Sequence, residues 1–539
     1  MKAHEEKSLR ESAESFILRA GEFEQEGSSI DEYAVLIEGL RAHYDNYELY
    51  FMLGLYYRYR NADQAFLCFE NALHYCDEPE DEKVIRDAME DISDRARVRG
   101  TSIVIVSYND FELTRECIRA IRRYVKAGSY EIIVVDNASS DEELKEYLRS
   151  LAEEHDDFVL AENSENLGFP AGCNIGLANA NADNDIFFLN NDAVLMPGAF
   201  FWLKMGLYSD KRNGASGAVT NCAPSQEVSQ ESLEPYVKMA PMNDARPLTN
   251  LSANLIKSAD TAKEPEKEHR WWRTISLDSA IEASKSYAKD HNVPMWNPYE
   301  VRCRLTGFAI LLRRETVRDV LIKSSEKEQH VFDERFSPGY FEDDDLGIRL
   351  CLAGWRQVLC HNAFIYHHGG SGFAGRNDAM ENSREKFKEK WGFDIWSYTL
   401  PEDDKITAFM DAIAKSCERP AGGPLNVEGA GEKAADLKLY NRVLRILDIS
   451  AGMGTTLSFI KYLVPGSYTA GITNADVFAG LSKYMADDMI SGNPELVTFP
   501  WPSGSFDYIL AGDAVAGSSD PERLLKKLSA YLSENGMII

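Results

Sequence analysis

Residues 101–107 read TSIVIVS, a short β-branched run with the signature of a buried strand. Downstream of it a helical pattern covers about Leu113–Lys126. A second strand, EIIVV at 131–135, runs into Asp136-Asn137. A helix over about 141–155, a third strand at Phe158–Ala161 and a fourth at Ile186–Leu189 follow. Strands alternating with helices predict a parallel sheet of the doubly wound kind. Such sheets bind ligands at the carboxyl ends of their strands. That rule singles out Ser107, Tyr108, Asp136 and the cluster Asn190-Asn191-Asp192.

Upstream, residues 1–98 carry almost no Pro and repeat apolar residues at helical spacing. Leu53, Gly54, Tyr57, Ala65, Phe69 and Ala72 follow the small–large order of a tetratricopeptide helix pair, and about Ser15–Tyr44 reads as a degenerate earlier copy. Asp81–Arg97 is the expected closing helix. Downstream, residues 223–298 are poor in strand signals and hold Trp271, Trp272 and Trp296, with a helix expected between Leu277 and Asp290. This segment reads as an insertion over one face of the sheet. Strands resume at Leu305–Leu312. Residues 401–440, with Pro420, Gly422, Gly423 and Pro424, read as a linker. A last α/β segment occupies 441–539. The expected chain is thus α/β and multidomain: an all-α N-terminal region at 1–98, a doubly wound sheet at 99–400, and a partial Rossmann-like unit after the linker.

The chain has 539 residues, 44% hydrophobic and 27% charged, a composition of ordinary globular domains. Lys and Arg total 58 against 87 Asp and Glu, a formal net charge of −29. A field of that sign repels nucleic-acid backbones and anionic lipid, so neither is expected as the main partner. A small phosphate ligand needs a bridging cation. The first residues, Met1 to Phe16, lack the apolar stretch of a signal peptide. No apolar run approaches the roughly 18 residues that suggest a membrane span. The nine cysteines are scattered from Cys68 to Cys417 without a CxxC pair. That is the pattern of reduced thiols in a cytoplasmic protein.

Three clusters carry chemistry. At 188–192 the apolar strand end FLNND offers hard oxygen ligands of the kind magnesium and manganese prefer; a plain Asn/Asp turn is the alternative. At 339–346, GYFEDDDL places Glu342, Asp343, Asp344 and Asp345 just before a helix. Capping and dipole compensation need one or two acids. Four repel one another unless some serve a cation or a proton transfer. At 365–372, IYHHGGSG ends a strand in paired His before a Gly-rich loop, which suits a metal ligand or a phosphate contact.

Taken in this order, the blocks resemble glycosyltransferase family 2, of GT-A fold, and its bacterial rhamnosyltransferase-like branch. The resemblance covers about 101–395: VIVSYN at 104–109, IIVVDNASSD at 132–141, ENLGFPAGCNIG at 165–176, LNNDAVLMPG at 189–198, LTGFAILLRRE at 305–315, FDERFSPGYFEDDDLGIRL at 332–350 and IYHHGGSG at 365–372. It implies inverting transfer from a nucleotide-activated sugar, UDP-N-acetylglucosamine or dTDP-rhamnose both being compatible. It implies that Ser107, Tyr108 and Asp136 line the nucleoside pocket, that Gly168, Gly172 and Asn174 lie beside the nucleotide, and that Asn191 belongs to the donor site. Asp192 with His367 is implied to hold Mn2+ or Mg2+. Asp343 is the implied general base, with Glu342 and Gly307 on the acceptor side. A helical repeat joined to such a domain resembles bacterial enzymes that glycosylate surface proteins such as flagellin, so the expected acceptor is a protein or a glycan. A non-catalytic scaffold that recruits partners through its helices is the alternative.

The sequence VLRILDISAGMG at 443–454 resembles the first strand and turn of a class I S-adenosylmethionine methyltransferase, which implies a cofactor turn at Asp448, Gly452 and Gly454. Two departures argue against methyl transfer. The second strand ends in Thr473-Asn474, where that family places an acid. The chain stops at Ile539, read as the start of a fifth strand and as a sign of a shortened form of a longer protein.

Overall fold

The computed structural model describes residues 11–223, 225–239, 272, 275–323, 329–369, 376–416 and 443–539. The N-terminal helices α1 (Ala13–Glu26), α2 (Ser29–Ala42), α3 (Tyr47–Tyr57) and α4 (Ala62–Tyr75) pack as two neighbouring pairs, and α5 (Pro79–Glu90) follows. Small residues set the close approach within each pair. A Cβ on Gly39 would lie 3.0 Å from Phe16 Cβ, and Gly54 faces the Phe69 ring. These helices share their core with the sheet that follows. Tyr50 meets Phe201 edge-on at 5.3 Å, and the Gln64 and Asn61 side-chain amides donate to the Met205 and Tyr208 carbonyls at 3.1 and 2.9 Å.

The central region runs β1 (Thr101–Ser107), α6 (Phe111–Tyr124), β2 (Tyr130–Asp136), α7 (Glu142–Glu154), β3 (Phe158–Glu162), α8 (Phe169–Asn179), β4 (Asp185–Leu189), β5 (Ala193–Leu195), α9 (Ala199–Leu207) and β6 (Asn213–Thr220). It continues through α10 (Gln230–Met239), α11 (Leu277–His291), β7 (Tyr299–Arg302), β8 (Ala309–Leu312), α12 (Arg314–Val320), the short β9 (Ile322–Lys323) and β10 (Gln329–His330), α13 (Glu342–Ala353) and β11 (Arg356–His367). The main sheet has the order β3-β2-β1-β4-β8-β6-β11-β5, with β7 also on β11. Every residue of β1 is buried, which is why it reads as an unbroken apolar run.

The expectation of a parallel sheet holds only for its first half. The strands β3, β2, β1 and β4 are mutually parallel, but β8 enters antiparallel between β4 and β6, and β5 and β7 both run antiparallel to β11. The sheet is mixed. Strand β6 gave no strand signal because NGASGAVT is built of small residues. The reason is packing: a Cβ on Gly217 would lie 3.0 Å from Leu305 Cδ2.

The expected linker needs correction as well. Its first part is the helix α15 (Asp403–Ser416), which follows α14 (Arg376–Trp391) and buries Phe409, Ala412 and Ile413 in one cluster with Ile446 and Leu510. The Pro/Gly stretch at 420–424 lies outside the described residues. The C-terminal unit comprises β12 (Arg445–Asp448), α16 (Thr455–Leu463), β13 (Tyr468–Thr473), α17 (Asp476–Leu481), β14 (Asp488–Ser491), β15 (Phe506–Leu510), α18 (Pro521–Ser529) and β16 (Leu532–Ile538). Its sheet is wholly parallel, ordered β14-β13-β12-β15-β16. The strand expected from Gly536 is assigned from Leu532 to Ile538 and pairs with β15 at Leu532, Met537 and Ile538. The register shifts between the Phe506–Leu532 and Tyr508–Met537 pairs, so Ser533 to Gly536 fall in the irregularity, a feature that alternation could not reveal.

Candidate active site

The loops after β1 and β2 are laced together. The Asn109 side-chain oxygen accepts from the Ser140 and Asp141 amides at 2.8 and 3.2 Å, and the Asn109 amide donates to Ser139 Oγ at 2.8 Å. Asp136, buried, accepts from the Ser139 amide with both carboxylate oxygens. Ser107 is fully buried, its hydroxyl 3.2 Å from Thr114 Oγ1, while Tyr108 next to it is 42% exposed. Of the residues expected to line a nucleoside pocket, Tyr108 is thus the one that presents a surface. Ser107 sits beneath it. Asn191 donates to the same Thr114 hydroxyl at 3.1 Å, so Thr114, which the sequence did not flag, ties the β1 end to the β4 end.

The segment 163–174 is placed differently from expectation. Gly172 is not free to approach a nucleotide: a Cβ there would lie 2.7 Å from Val106 Cγ1, so this glycine seats α8 against β1. Gly168, at φ 85°, is pressed on Pro338, whose Cα would be 2.8 Å from an added Cβ. Asn174 is buried and wholly engaged. It donates to the Phe332 carbonyl at 2.9 Å and to Glu334 at 3.0 Å, and accepts from the Val331 and Phe332 amides. Gly168 and Asn174 hold the loop that leads to the acidic run. Asn137 is a further latch, donating to Asn166 Oδ1 and the Gly168 carbonyl and accepting from Asn163 and the Leu167 amide.

At the other end of the cleft, β5 pairs antiparallel with β11 and sets His367 opposite Ala193. His367 Nε2 lies 3.3 Å from Asp192 Oδ1. The His367 Nδ1–H donates to the Cys222 carbonyl at 2.6 Å, so in the neutral ring Nε2 is the electron-pair donor. Asp192 Oδ2 accepts from the Gly369 amide at 3.1 Å. The pair offers one oxygen and one nitrogen donor to the same point and fits a divalent cation whose remaining positions come from elsewhere. Among the described residues no three His, Cys, Asp or Glu side chains converge into a metal-holding group. The Gly-rich loop at 370–375 lies outside the described residues.

The dipeptide Gly307-Phe308 connects this end to the carboxylates. The Phe308 ring stacks on His367 at 4.9 Å, and its carbonyl accepts from the Asn190 amide at 2.9 Å. The Gly307 amide donates to Asp343 Oδ2 at 2.8 Å. Gly307 precedes β8 and is no part of it, because the expected strand at 305–312 begins only at Ala309.

The four acids at the head of α13 separate by partner. Asp345 is fully buried and held by Arg349 at 2.9 Å, Lys390 at 2.5 Å and the Trp391 indole. Asp344 pairs with Arg304 Nε at 3.0 Å. Its carboxyl is pushed up to about 7 by burial, opposed by Arg304 and reinforced by the charges of Asp343 and Asp345. Burial and the neighbouring Asp343 hold Glu342 well above the usual carboxylate range, which favours its protonated form, and its buried Oε2 has no hydrogen-bond partner. Asp343, 9% exposed, is aimed by the Gly307 and Asp344 amides, with Arg304 3.5 Å away. Arg304 was not legible in the sequence. Its signal is a cation placed three residues before the Gly307 that touches the same carboxylate.

Strain concentrates here. Among the described residues the non-glycine positions with positive φ are Asn109, Asp110, Ala138, Tyr340 and Phe341, all in the loops after β1 and β2 or directly before α13.

These strand-end loops fall within a stretch that has a known counterpart. A glycosyl transferase family 2 domain is recognised at residues 102–239. The acidic run and His367 lie beyond that match. No curated protein matches the chain. Solved structures similar to it include GalNAc-T7 with UDP, GalNAc and Mn2+ (12% identity, 64% of this chain and 55% of that one, TM-score 0.37). Two others are the mannosyltransferase PcManGT from Pyrobaculum calidifontis with GDP-Man and Mn2+ (15% identity, 74% and 96%, TM-score 0.33) and TarS 1-349 of S. aureus (14% identity, 68% and 81%, TM-score 0.32). The chain thus spans about half the length of the GalNAc-T7 chain. No described helix is long and apolar enough to cross a membrane.

Proposed function

We propose that the central region is an inverting, metal-dependent glycosyltransferase that moves a sugar from a nucleotide donor, a UDP-sugar such as UDP-N-acetylglucosamine, to an acceptor hydroxyl. The observation that carries this reading is the juxtaposition built by Gly307-Phe308. One residue touches the Asp343 carboxylate and the next stacks on His367 beside Asp192. A metal-donor pair and a proton acceptor that touch neighbouring residues of one dipeptide suit the departure of a diphosphate at the first and attack by a hydroxyl at the second.

Asp192 and His367 would hold Mn2+ or Mg2+, which when bound neutralises charge developing on the departing diphosphate. Tyr108 offers its exposed ring as a surface for the base of the donor. Asp343 takes the proton from the acceptor hydroxyl as the oxygen attacks the anomeric carbon. It is the acid that the family resemblance implies as the base; the Gly307 and Asp344 amides aim it, while Asp345 is held between Arg349 and Lys390 and Glu342 favours its proton. The N-terminal helices are proposed to engage the acceptor, a bacterial surface protein such as flagellin or a glycan. They share the core of the sheet, so surface substitutions rather than deletion test that role.

The deciding experiment is a donor-hydrolysis screen over UDP-, dTDP- and GDP-sugars with manganese or with chelator, repeated on Asp192→Ala. Manganese-dependent hydrolysis of one donor, lost in the variant, supports the reading. UDP binding that is equal in manganese and chelator, with no donor hydrolysed, overturns it.

A further inference from the structure

The C-terminal sheet carries the glycine turn that resembles a cofactor site, and the residues around it do not fit that use. In a parallel sheet ordered β14-β13-β12-β15-β16, the crevice for a ligand opens at the carboxyl ends of β12 and β15, where the connections diverge to opposite sides. Lys405 of α15 fills it. Its ammonium lies 2.9 and 3.1 Å from the two oxygens of the fully buried Asp448 and 2.8 Å from Ser450 Oγ, and its stem passes Gly512 at the end of β15. Burial works against the lysine charge, but Asp448 and Glu402 outweigh it and raise its pKa.

Both glycines of the turn are also taken. At φ 52°, Gly452 faces Tyr398, whose ring would be 3.0 Å from an added Cβ; at φ 84°, Gly454 faces Met485, at 2.9 Å. The Tyr398 carbonyl accepts from Thr455 Oγ1, and the Glu402 amide donates to Thr456 Oγ1 at 3.0 Å. The close approach that glycine permits is spent on the chain's own side chains. Thr473, which ends β13 where a ribose-binding acid would stand, is buried.

The same unit touches the head of α13. Met453, Phe478, Leu481 and Met485 form one apolar cluster with Phe341, Ile348 and Cys351. Phe478 meets Tyr398 edge-on at 4.5 Å, so the segment filling the crevice and the contact to α13 are continuous. A second contact lies at β7, where Ser458 Oγ donates to the Val301 carbonyl at 2.6 Å, and nearby Asn297 donates to the Tyr462 carbonyl at 2.7 Å.

We propose that this crevice is a socket for the chain's own Tyr398–Lys405 segment and takes no adenosyl cofactor, and that the C-terminal unit braces α13, the helix that opens with Glu342 and Asp343. The bracing is a packing claim and stands apart from the glycosyl-transfer reading; only the kinetic arm of its test rests on that reading.

The test has three arms. Calorimetric titration of the whole chain with S-adenosylmethionine and with S-adenosylhomocysteine should give no binding heat; micromolar binding of either overturns the socket. Hydrogen exchange on Phe478→Ala, which removes the ring joining Tyr398 to the α13 cluster, should rise in 448–463 and in 342–353 and stay unchanged in β1–β3. Unchanged exchange in 342–353 overturns the brace. Phe478→Ala should lower kcat several-fold at unaltered donor KM; a rise in donor KM at constant kcat overturns it. If the wild-type chain transfers no sugar, the first two arms still decide.

Discussion

Among the described residues the molecule carries two crevices at strand ends; one is open to the extent that Tyr108 is exposed, and the other is filled. In the central sheet the ends of β1, β2 and β4 carry the exposed Tyr108 and the buried Asp136 and Asp192, and positive-φ residues shape the loops after β1 and β2. In the C-terminal sheet the equivalent place holds Lys405 and Tyr398. Both are bordered by glycines that look like ligand glycines in sequence. The contrast teaches that a glycine shows only that something comes close. At Gly172 it is Val106, at Gly452 Tyr398, at Gly454 Met485. What comes close is decided by residues distant in the chain.

The largest effect is expected in the open crevice. Asp343→Asn should lower transfer by about 10²–10⁴ with the melting temperature and UDP affinity retained. Asp345→Asn is the contrast. It removes the partner of Arg349 and Lys390 and should act through stability. Steady-state kinetics beside thermal melts separate the two. If Asp343→Asn keeps near-full activity, the base is elsewhere.

In the filled crevice the order of effects reverses. Lys405→Met leaves Asp448 buried without its cation and should destabilise the chain by about 3–5 kcal/mol. Adding Asp448→Asn should restore most of that loss. Denaturant unfolding of the single and double variants gives the coupling directly. Additive effects of the two substitutions would mean that the pair does not interact as the distances indicate.

The sequence revealed these crevices unequally, and for physical reasons. Strands β1, β2 and β4 were legible to within a residue or two because burial on both faces leaves an unbroken apolar run, and the half-buried β3 was legible from its FVLA stretch. Helix α13 was legible from its acidic head. The division of labour among its four acids was not. Their partners are Arg304, Arg349 and Lys390, and two of these come from other elements. Strand β6 escaped because its small residues answer to Leu305 and not to strand propensity. The antiparallel entry of β8 could not be read either, since direction leaves no mark on an apolar run. The 401–416 segment read as linker beside a Pro/Gly stretch, yet Lys405 makes it part of the C-terminal core.

A smaller effect tests what glycine does in the open crevice. Gly172→Ala places a methyl against Val106 and should cost about 1–3 kcal/mol by overpacking. Val106→Ala in the same chain should recover part of it by making room. Donor affinity in the paired variant should match the wild type, because position 172 faces the strand. A tenfold loss of UDP binding in a stable paired variant would return Gly172 to the donor site.

The smallest effect compares the charge environment of the two crevices. In the filled one, Asp448 shares Lys405 with Glu402. In the open one, Asp344 shares Arg304 with Asp343, and its carboxyl is pushed up to about 7 from 3.8. Between those values the folded chain binds a proton at Asp344 more readily than the unfolded chain does. Stability from this group is therefore fully present below about 3.8 and is lost as pH rises toward 7. Other acids, such as Glu300 and Asp333, are held low by their cationic partners and contribute with the opposite sign. The comparison must for that reason be made against Asp344→Asn, which cannot titrate. Relative to the wild type, that variant should melt higher at about pH 8 than it does at about pH 5, by a few degrees at most. Melting curves at the two pH values decide the point. Two chains whose difference stays constant with pH would show that Arg304 offsets the burial of Asp344.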